Sequence, residues 1–306
     1  MKNQASETLG SPGRIHPTQD RTPLKCRLWG SDFSKSAGRS DSIIRLRRNR
    51  NEVHNMDLLT ITKDNLETEH ICCAISNTTD CQITAKKRWL SDRLDEGLVF
   101  LKGNVRGKCF IEYIPAEYAW APVSADGYMY INCFWVSGQH AGHGYANQLL
   151  KACIADSKEK GKHGLVILAS DKKRAFLADP KFLRHKDFTM ADTAEPYYEL
   201  YYLPFDSSTP KPTFAVQVKQ PHIDEPGFVL YYSHQCPFTA KYVPLIEAAA
   251  RRRGVLFQSV LFTSAAEAQN SPAPSTSYSL FYDGEFVTNE ILSEKKFEKI
   301  LLERGL

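Results

Sequence analysis

The sequence predicts an α/β (α+β) chain of two unequal domains, on three observations. Short apolar runs rich in β-branched and aromatic residues alternate with stretches of helical period from residue 56 onward. The Pro- and Ser-rich stretch "DSSTPKPTFAVQVKQPHIDEP" (206–226) interrupts that alternation and reads as a linker. In "WVSGQHAGHGYANQLL" (135–150) an apolar run passes through two closely spaced glycines into a helical pattern. These bounds give a first domain over 56–205 and a second over 227–306.

In the first domain, "LVFLKG" and "KCFIEYIP" read as strands, with "AEYAWAPVSADG" as the loop that follows. "YMYINCFWV" is too aromatic and β-branched for a surface helix and reads as a buried strand. After Gly144, apolar residues recur at Ala146, Leu149, Leu150, Cys153 and Ile154, the stripe of an amphipathic helix that closes near Gly161. "GLVILAS" (164–170) is another buried strand, "DPKFLRHKDF" a short helix and "EPYYELYYLPF" a last strand. In the second domain, "GFVLYYSHQCPFTAKYVPLIEAAARRRG" is a strand followed by a helix, and "VLFQSVLF" a second strand. "YSLFYDGEFVTNE" is a hairpin turning at Asp283-Gly284. "SEKKFEKILLERG" closes the chain as a helix capped by Ser293, with Phe297, Ile300 and Leu301 on one face.

Residues 1–55 carry 11 Lys and Arg against 5 Asp and Glu, whereas the remainder carries 28 against 30. The basic character thus belongs to the leading segment, and the folded body gives no case for nucleic-acid binding. That segment lacks clustered apolar residues and reads as disordered; a transit peptide is disfavoured by its acidic residues. The third alternative, preferred here, is that Met56 is the authentic start, because compact patterning begins there at "MDLLTITKDNLETEH". Without a signal sequence or a bilayer-length apolar run, a cytoplasmic setting with no membrane association is expected. The eight cysteines form no C-x-x-C pair and several sit in apolar runs, so reduced thiols are expected and no metal. The N-x-T sequon at Asn77 carries little weight without a secretion signal.

At 139–144, glycines between strand and helix let the backbone approach a ligand closely. Unpaired N–H groups and the helix dipole then favour an anion such as a pyrophosphate. A plain tight turn is the structural alternative. Gln139-x-x-Gly142-x-Gly144 matches the Q/R-x-x-G-x-G/A signature of the GNAT acetyltransferases, and the strand before it and helix after it match as well. The stretch from Met56 to Phe205 resembles that family. The resemblance implies a mixed, splayed sheet that binds acetyl-CoA as co-substrate through Phe134, Val136, Gln139, His140, Ala141, Gly142, His143, Gly144 and Tyr145. It also implies N–H groups near Cys133 to Val136 that polarise the thioester carbonyl. A carboxylate serves as base, with Glu112 first and Asp126 second, each of which is otherwise an ordinary surface acid. Leu183 stands where the family often has a tyrosine acid, leaving Tyr197 or Tyr198 as substitutes, or no protein acid at all. His140 and His143 as a metal pair lose to plain loop histidines.

Cys236 directly follows a strand, with Pro237 where a helix begins, a setting that lowers a thiol's pKa and makes it a candidate reactive thiol. Strand, cysteine and then Pro244 inside the helix resemble thioredoxin-like domains. Thr239 replaces a second cysteine, and Thr276 stands where the fold's proline is expected, which favours a monothiol or structural role. The two domains together resemble the YoaP-like acetyltransferases. The expected activity is acetyl transfer from acetyl-CoA to a primary amine of a small molecule in a ternary complex, in a monomer or a homodimer. The alternative is a non-catalytic acyl-CoA-binding or thiol-redox sensing module.

Overall fold

The computed structural model describes residues 56–71 and 80–306. The leader 1–55, Cys26, Cys72, Cys73 and the Asn77 sequon lie outside the described residues.

In chain order the strands are β1 (Leu58–Ile61), β2 (Val99–Gly103), β3 (Cys109–Pro115), β4 (Val123–Ser124), β5 (Met129–Val136), β6 (Gly164–Ser170), β7 (Thr189–Ala194), β8 (Tyr198–Pro204), β9 (Thr213–Phe214), β10 (Phe228–Tyr232), β11 (Phe257–Leu261), β12 (Tyr278–Tyr282) and β13 (Glu285–Thr288). The α-helices are α1 (Cys81–Leu94), α2 (Tyr145–Glu159), α3 (Pro180–His185), α4 (Phe238–Arg253), α5 (Ala265–Gln269) and α6 (Glu294–Glu303). The first sheet has the order β1-β2-β3-β5-β6-β8-β7, and the second β11-β10-β12-β13. The mixed α/β architecture follows the expectation.

β5 and β6 are joined by α2 and run parallel, the pairing that such a crossover imposes. Leu149, Leu150 and Cys153 of α2 are buried on one face of the sheet, as the apolar stripe predicts, together with Leu183 of α3. On the opposite face Trp89 and Leu90 of α1 meet Phe110, Ile114 and Trp120. The apolar pattern did not disclose α1. Its Asp80 cap accepts from Gln82 N, but its buried positions include Lys86 and Lys87, and these lysines break the apolar stripe. β7 was missed for a related reason, since "TMADTA" is largely solvent-facing.

In the second unit the parallel pair β10–β11 is bridged by α4, and the β12–β13 hairpin turns at Asp283 and Gly284, both at positive φ. α4 continues through Pro244. Ser293 caps α6 by accepting from Lys296 N, and Phe297 and Leu301 are buried, with Ile300 packed against the same cluster.

The 206–226 stretch is no free tether. Thr213–Phe214 pairs with β4, and Phe214 and Val218 lie in the core of the first unit. Phe262 and Ala268 of the second unit enter the same core. Gln269 Nε2 donates to Ala119 O at 3.0 Å, and Thr276 Oγ1 donates to Trp120 O. The cysteine expectation also needs correction. Cys81 is disulfide-bonded, whereas Cys109, Cys133, Cys153 and Cys236 are free. Spacing alone does not predict such a bond, because it is set by which thiols the fold brings together.

At the centre of the seam, Lys86 Nζ donates to Glu112 Oε2 at 2.7 Å and to Gln235 O at 2.7 Å, with both ion-pair side chains 1% exposed. Breaking such a buried pair leaves an uncompensated charge. Lys86→Met is therefore expected to lower unfolding stability by about 3–5 kcal/mol, read from the urea midpoint. Lys86→Met with Glu112→Leu should recover much of that loss. A single variant as stable as the native chain would show that the pair is not holding the seam.

Candidate active site

Two local features build the site. The first is a gap in the sheet. β5 extends to Val136, but its ladder to β6 ends at Ile131↔Ile167. Opposite β3, Glu112 pairs with Cys133 and Tyr113 with Ile131, so Asn132 is the extra residue of a bulge that bends β5 away from β6. Beyond the bulge, the edge of β5 that faces β6 has no ladder partner, and its backbone groups are available to a ligand. In parallel sheets, ligand sites lie at the carboxyl ends of strands that diverge in this way.

The second is the turn at the end of β5. Ser137 N donates to Lys108 O at 2.9 Å, and one turn of 3-10 helix spans Gly138–His140. Gly142 and Gly144 then sit at φ 82° and 80°, in the left-handed region that only glycine adopts without strain. α2 starts at Tyr145, with Gly144 as its cap and no side-chain cap among the described residues. Its first N–H groups point out of the helix beside the exposed backbone of Gln139, Ala141, Gly142 and His143. This turn offers donors and a positive dipole end to an anion.

The residues expected to bind the co-substrate divide accordingly. Gln139, Ala141, Gly142, His143 and Gly144 are solvent-facing on the turn. Tyr145 stacks on His143 with centroids 5.6 Å apart. Phe134 and Val136 pack toward α2 and α3 from the open part of β5, Phe134 edge-on to Phe182 at 5.4 Å. His140 departs from the expectation. It is 8% exposed, and its Nε2 donates to Arg106 O at 3.1 Å beneath Gly107, where a Cβ would lie 2.5 Å from that nitrogen. His140 is a strut for the loop before β3 and does not face a phosphate.

The catalytic candidates divide as well. Glu112, on β3, is one strand removed from the gap and buried beside the bulge, with Oε1 accepting from Asn132 Nδ2 at 3.1 Å and Oε2 taken by Lys86. Asp126 is exposed in the turn that precedes β5, at the end of the strand remote from the gap, so it is withdrawn. Tyr197 and Tyr198 sit at the gap end of the sheet, but β6 stands between β8 and the gap. Tyr197 OH donates to Asn289 Oδ1 at 2.8 Å, and Tyr198 packs against Phe286, so both face the second unit. A groove of about 710 Å³ lies beside them, lined by Asp171, Glu195, Glu199 and Lys219, on the far side of β6 from the gap.

Cys236 corrects another expectation. Burial pushes its thiol up to about 11, outweighing the Phe238 N–H bond and the nearby Lys86 charge. A helix N-terminus did not produce a reactive thiolate, because desolvation of the anion costs more than the dipole returns. Cys133, near enough to interact with Cys236, is raised for the same first reason. Thr239, where a resolving cysteine would stand, instead donates to Ser233 O and Cys236 O.

Sequence reasoning did not single out Lys86, Asn132 or Gln235, which gather around Glu112. For Lys86 a signal existed. It lies three residues after Ile83 and three before Trp89 on a helix capped by Asp80, which places it on the buried stripe.

The acetyltransferase (GNAT) family profile matches residues 63–177, and a YoaP-like profile matches 257–299. The chain is 46% identical over 247 residues to the Bacillus subtilis (strain 168) protein described as an uncharacterized N-acetyltransferase, YoaP, covering 80% of this chain and 98% of that one. Among solved structures it is similar to a GNAT family acetyltransferase from Brucella melitensis in complex with acetyl-CoA (15% identity, TM-score 0.33, 52% of this chain and 93% of that one). It is likewise similar to the GNAT family N-acetyltransferase YhbS from Escherichia coli in complex with CoA (12% identity, TM-score 0.35, 52% and 89%).

Two outcomes test the site. In Gly142→Val no atom stands within 4 Å of the new Cβ, so the cost is the branched residue's strain at φ 82°. The turn must rearrange. Losing two charge-assisted hydrogen bonds should weaken coenzyme A binding by about 10²- to 10⁴-fold in calorimetry. The melting curve should move little, because the turn is solvent-exposed. For Cys236, a raised pKa means a neutral thiol at pH 7. Its alkylation by iodoacetamide should therefore climb about ten-fold per pH unit up to pH 10. A plateau near pH 8 would restore the reactive-thiol reading.

Proposed function

The chain belongs to the GNAT family of acetyltransferases, and from that premise we propose that it moves the acetyl group of acetyl-CoA to a primary amine of a small molecule by direct attack in a ternary complex. The observation that carries the reading is the divergence of β5 and β6 running straight into the Gly142–Gly144 turn and α2. One continuous surface thereby joins an anion site to an unpaired strand edge.

The turn and the first N–H groups of α2 hold the pyrophosphate. The open edge of β5 between Cys133 and Val136 supplies backbone donors to the thioester oxygen, where negative charge develops during attack. The acceptor amine must be neutral to attack, and Glu112 is the carboxylate placed to take its proton, directly or through a water. Lys86 fixes that carboxylate, and Asn132 orients its other oxygen. No protein acid is needed if the leaving thiolate takes its proton from solvent, which suits the buried Leu183 at the position where the family often has a tyrosine.

The second unit's order of strand, helix, strand, short helix, hairpin and helix supports its thioredoxin-like reading, while the neutral Cys236 argues against a redox module. Among the described residues no helix is long and apolar enough to cross a membrane.

Release of coenzyme A thiol, followed with a panel of primary amines, tests the activity. Glu112→Gln keeps the side-chain shape and removes the base but leaves the buried Lys86 charge uncompensated, so a melting curve first identifies the temperature at which the variant is folded; there kcat is expected to fall by about 10²- to 10⁴-fold with little change in the KM for acetyl-CoA. Full activity in the folded variant would remove Glu112 from the chemistry.

A further inference from the structure

The four residues Gln235–Cys236–Pro237–Phe238, which lead into α4, lie across the mouth of the β5–β6 gap. Gln235 O accepts from Lys86, the ion-pair partner of Glu112. Phe238 approaches Phe176, just beyond β6, with centroids 6.4 Å apart, and Lys108, just before β3, at 5.9 Å. The second unit therefore forms one wall of whatever space the acceptor enters.

The polar groups at that mouth are only partly matched to one another. Asn132 Oδ1 and Gln235 Oε1 are shielded from solvent and have no hydrogen-bond partner among the described residues. Both are acceptors, and they lie at the two ends of the chain of bonds running from Asn132 through Glu112 and Lys86 to Gln235. Lys86 and Glu112 cancel in charge. Lys108 is left over. Its Nζ lies 3.8 Å from the centroid of the Trp135 ring, and among the described residues no carboxylate pairs with it. The mouth thus presents two unfilled acceptors, which ask for N–H donors, and one unneutralised cation, which asks for an anion.

Resting on the acetyltransferase reading above, we propose that the acceptor is a primary amine that also carries a carboxylate, a small amino acid, held at the seam between the two units. Its amine enters between Asn132 and Gln235, whose side-chain oxygens, closed to solvent before it binds, turn to accept from it, with the nitrogen lone pair toward the open edge of β5. Its carboxylate pairs with Lys108 over the Trp135 face. Once Glu112 has taken the ammonium proton, the N–C bond forms as the C–S bond breaks, the second amine proton passes to solvent, and the electron pair leaves with the coenzyme A thiolate, which solvent protonates. The second unit is then half of the acceptor site, and its Gln235 is a specificity residue.

The test uses the full chain and thiol release from acetyl-CoA, with each of the twenty common amino acids as acceptor. 2-Phenylethylamine and 3-(methylthio)propylamine are run beside phenylalanine and methionine, their carboxylated counterparts. At least one amino acid is expected to be a substrate, and any carboxylated member of these pairs that reacts should exceed its partner in kcat/KM by about 10- to 100-fold. Lys108→Met keeps an apolar stem over Trp135 and should abolish that preference. Gln235→Leu should raise the KM for the amino acid while coenzyme A affinity by calorimetry stays unchanged. The proposal is overturned if no amino acid reacts, if the decarboxylated amines serve as well, or if Lys108→Met weakens coenzyme A binding while leaving the preference intact. Calorimetry of the native chain separates the two readings. Loss of coenzyme A binding there removes the acetyltransferase reading itself, whereas intact binding with any of those results removes this inference alone.

Discussion

The buried contact between Lys86 and Glu112 sets the terms for the rest of the molecule. An ammonium and a carboxylate, each 1% exposed, hold only if their remaining valences are met. Asn132 on β5 meets one and the Gln235 carbonyl ahead of α4 meets another. Strand β3, strand β5, helix α1 and the second unit are thereby tied at one point. That point is also where β5 parts from β6. The carboxylate proposed as the base is thus the one that locks the two units together, so on that proposal stability and catalysis draw on the same side chains.

The divergence of β5 and β6 follows from backbone geometry. The extra residue at Asn132 ends the ladder after three pairs, and the strand then runs on unpaired to the glycine turn. A regular strand would continue the ladder and leave no edge open to a ligand. Gly142 and Gly144 extend the same logic, since their positive φ values turn the chain so that α2 begins with its N–H groups facing outward.

The relation of the two units decides what the acceptor face can be. Phe214 and Val218 anchor the connecting stretch in the first core, and Phe262 and Ala268 join that core from the second unit. The second unit is not tethered at a distance. Its residues 235–238 reach Lys86, Phe176 and Lys108, which on the inference above makes the residues around Cys236 part of the acceptor surface. The same burial that places the Cys236 thiol there keeps it protonated, since an anion at that position would lose its hydration without a full partner.

The sequence by itself determined the elements whose physics is local. The stripe of α2, the apolar strands, the hairpin at Asp283-Gly284, the Ser293 cap and the glycine turn are legible because each depends on residues within a few positions of one another. Helix α1 was hidden, because its inward face carries Lys86 and Lys87, whose burial makes sense only with Glu112 and the second unit in place. The tertiary structure alone decided that Glu112 is bonded to Lys86 and to the bulge residue Asn132, whereas Asp126 lies at the other end of β5. It also decided that His140 braces Arg106, that Tyr197 and Tyr198 face the second unit, and that the stretch 206–226 is pinned to the first core. Those outcomes turn on which atoms far apart in the chain share one low-dielectric neighbourhood, and one-dimensional spacing carries no record of that.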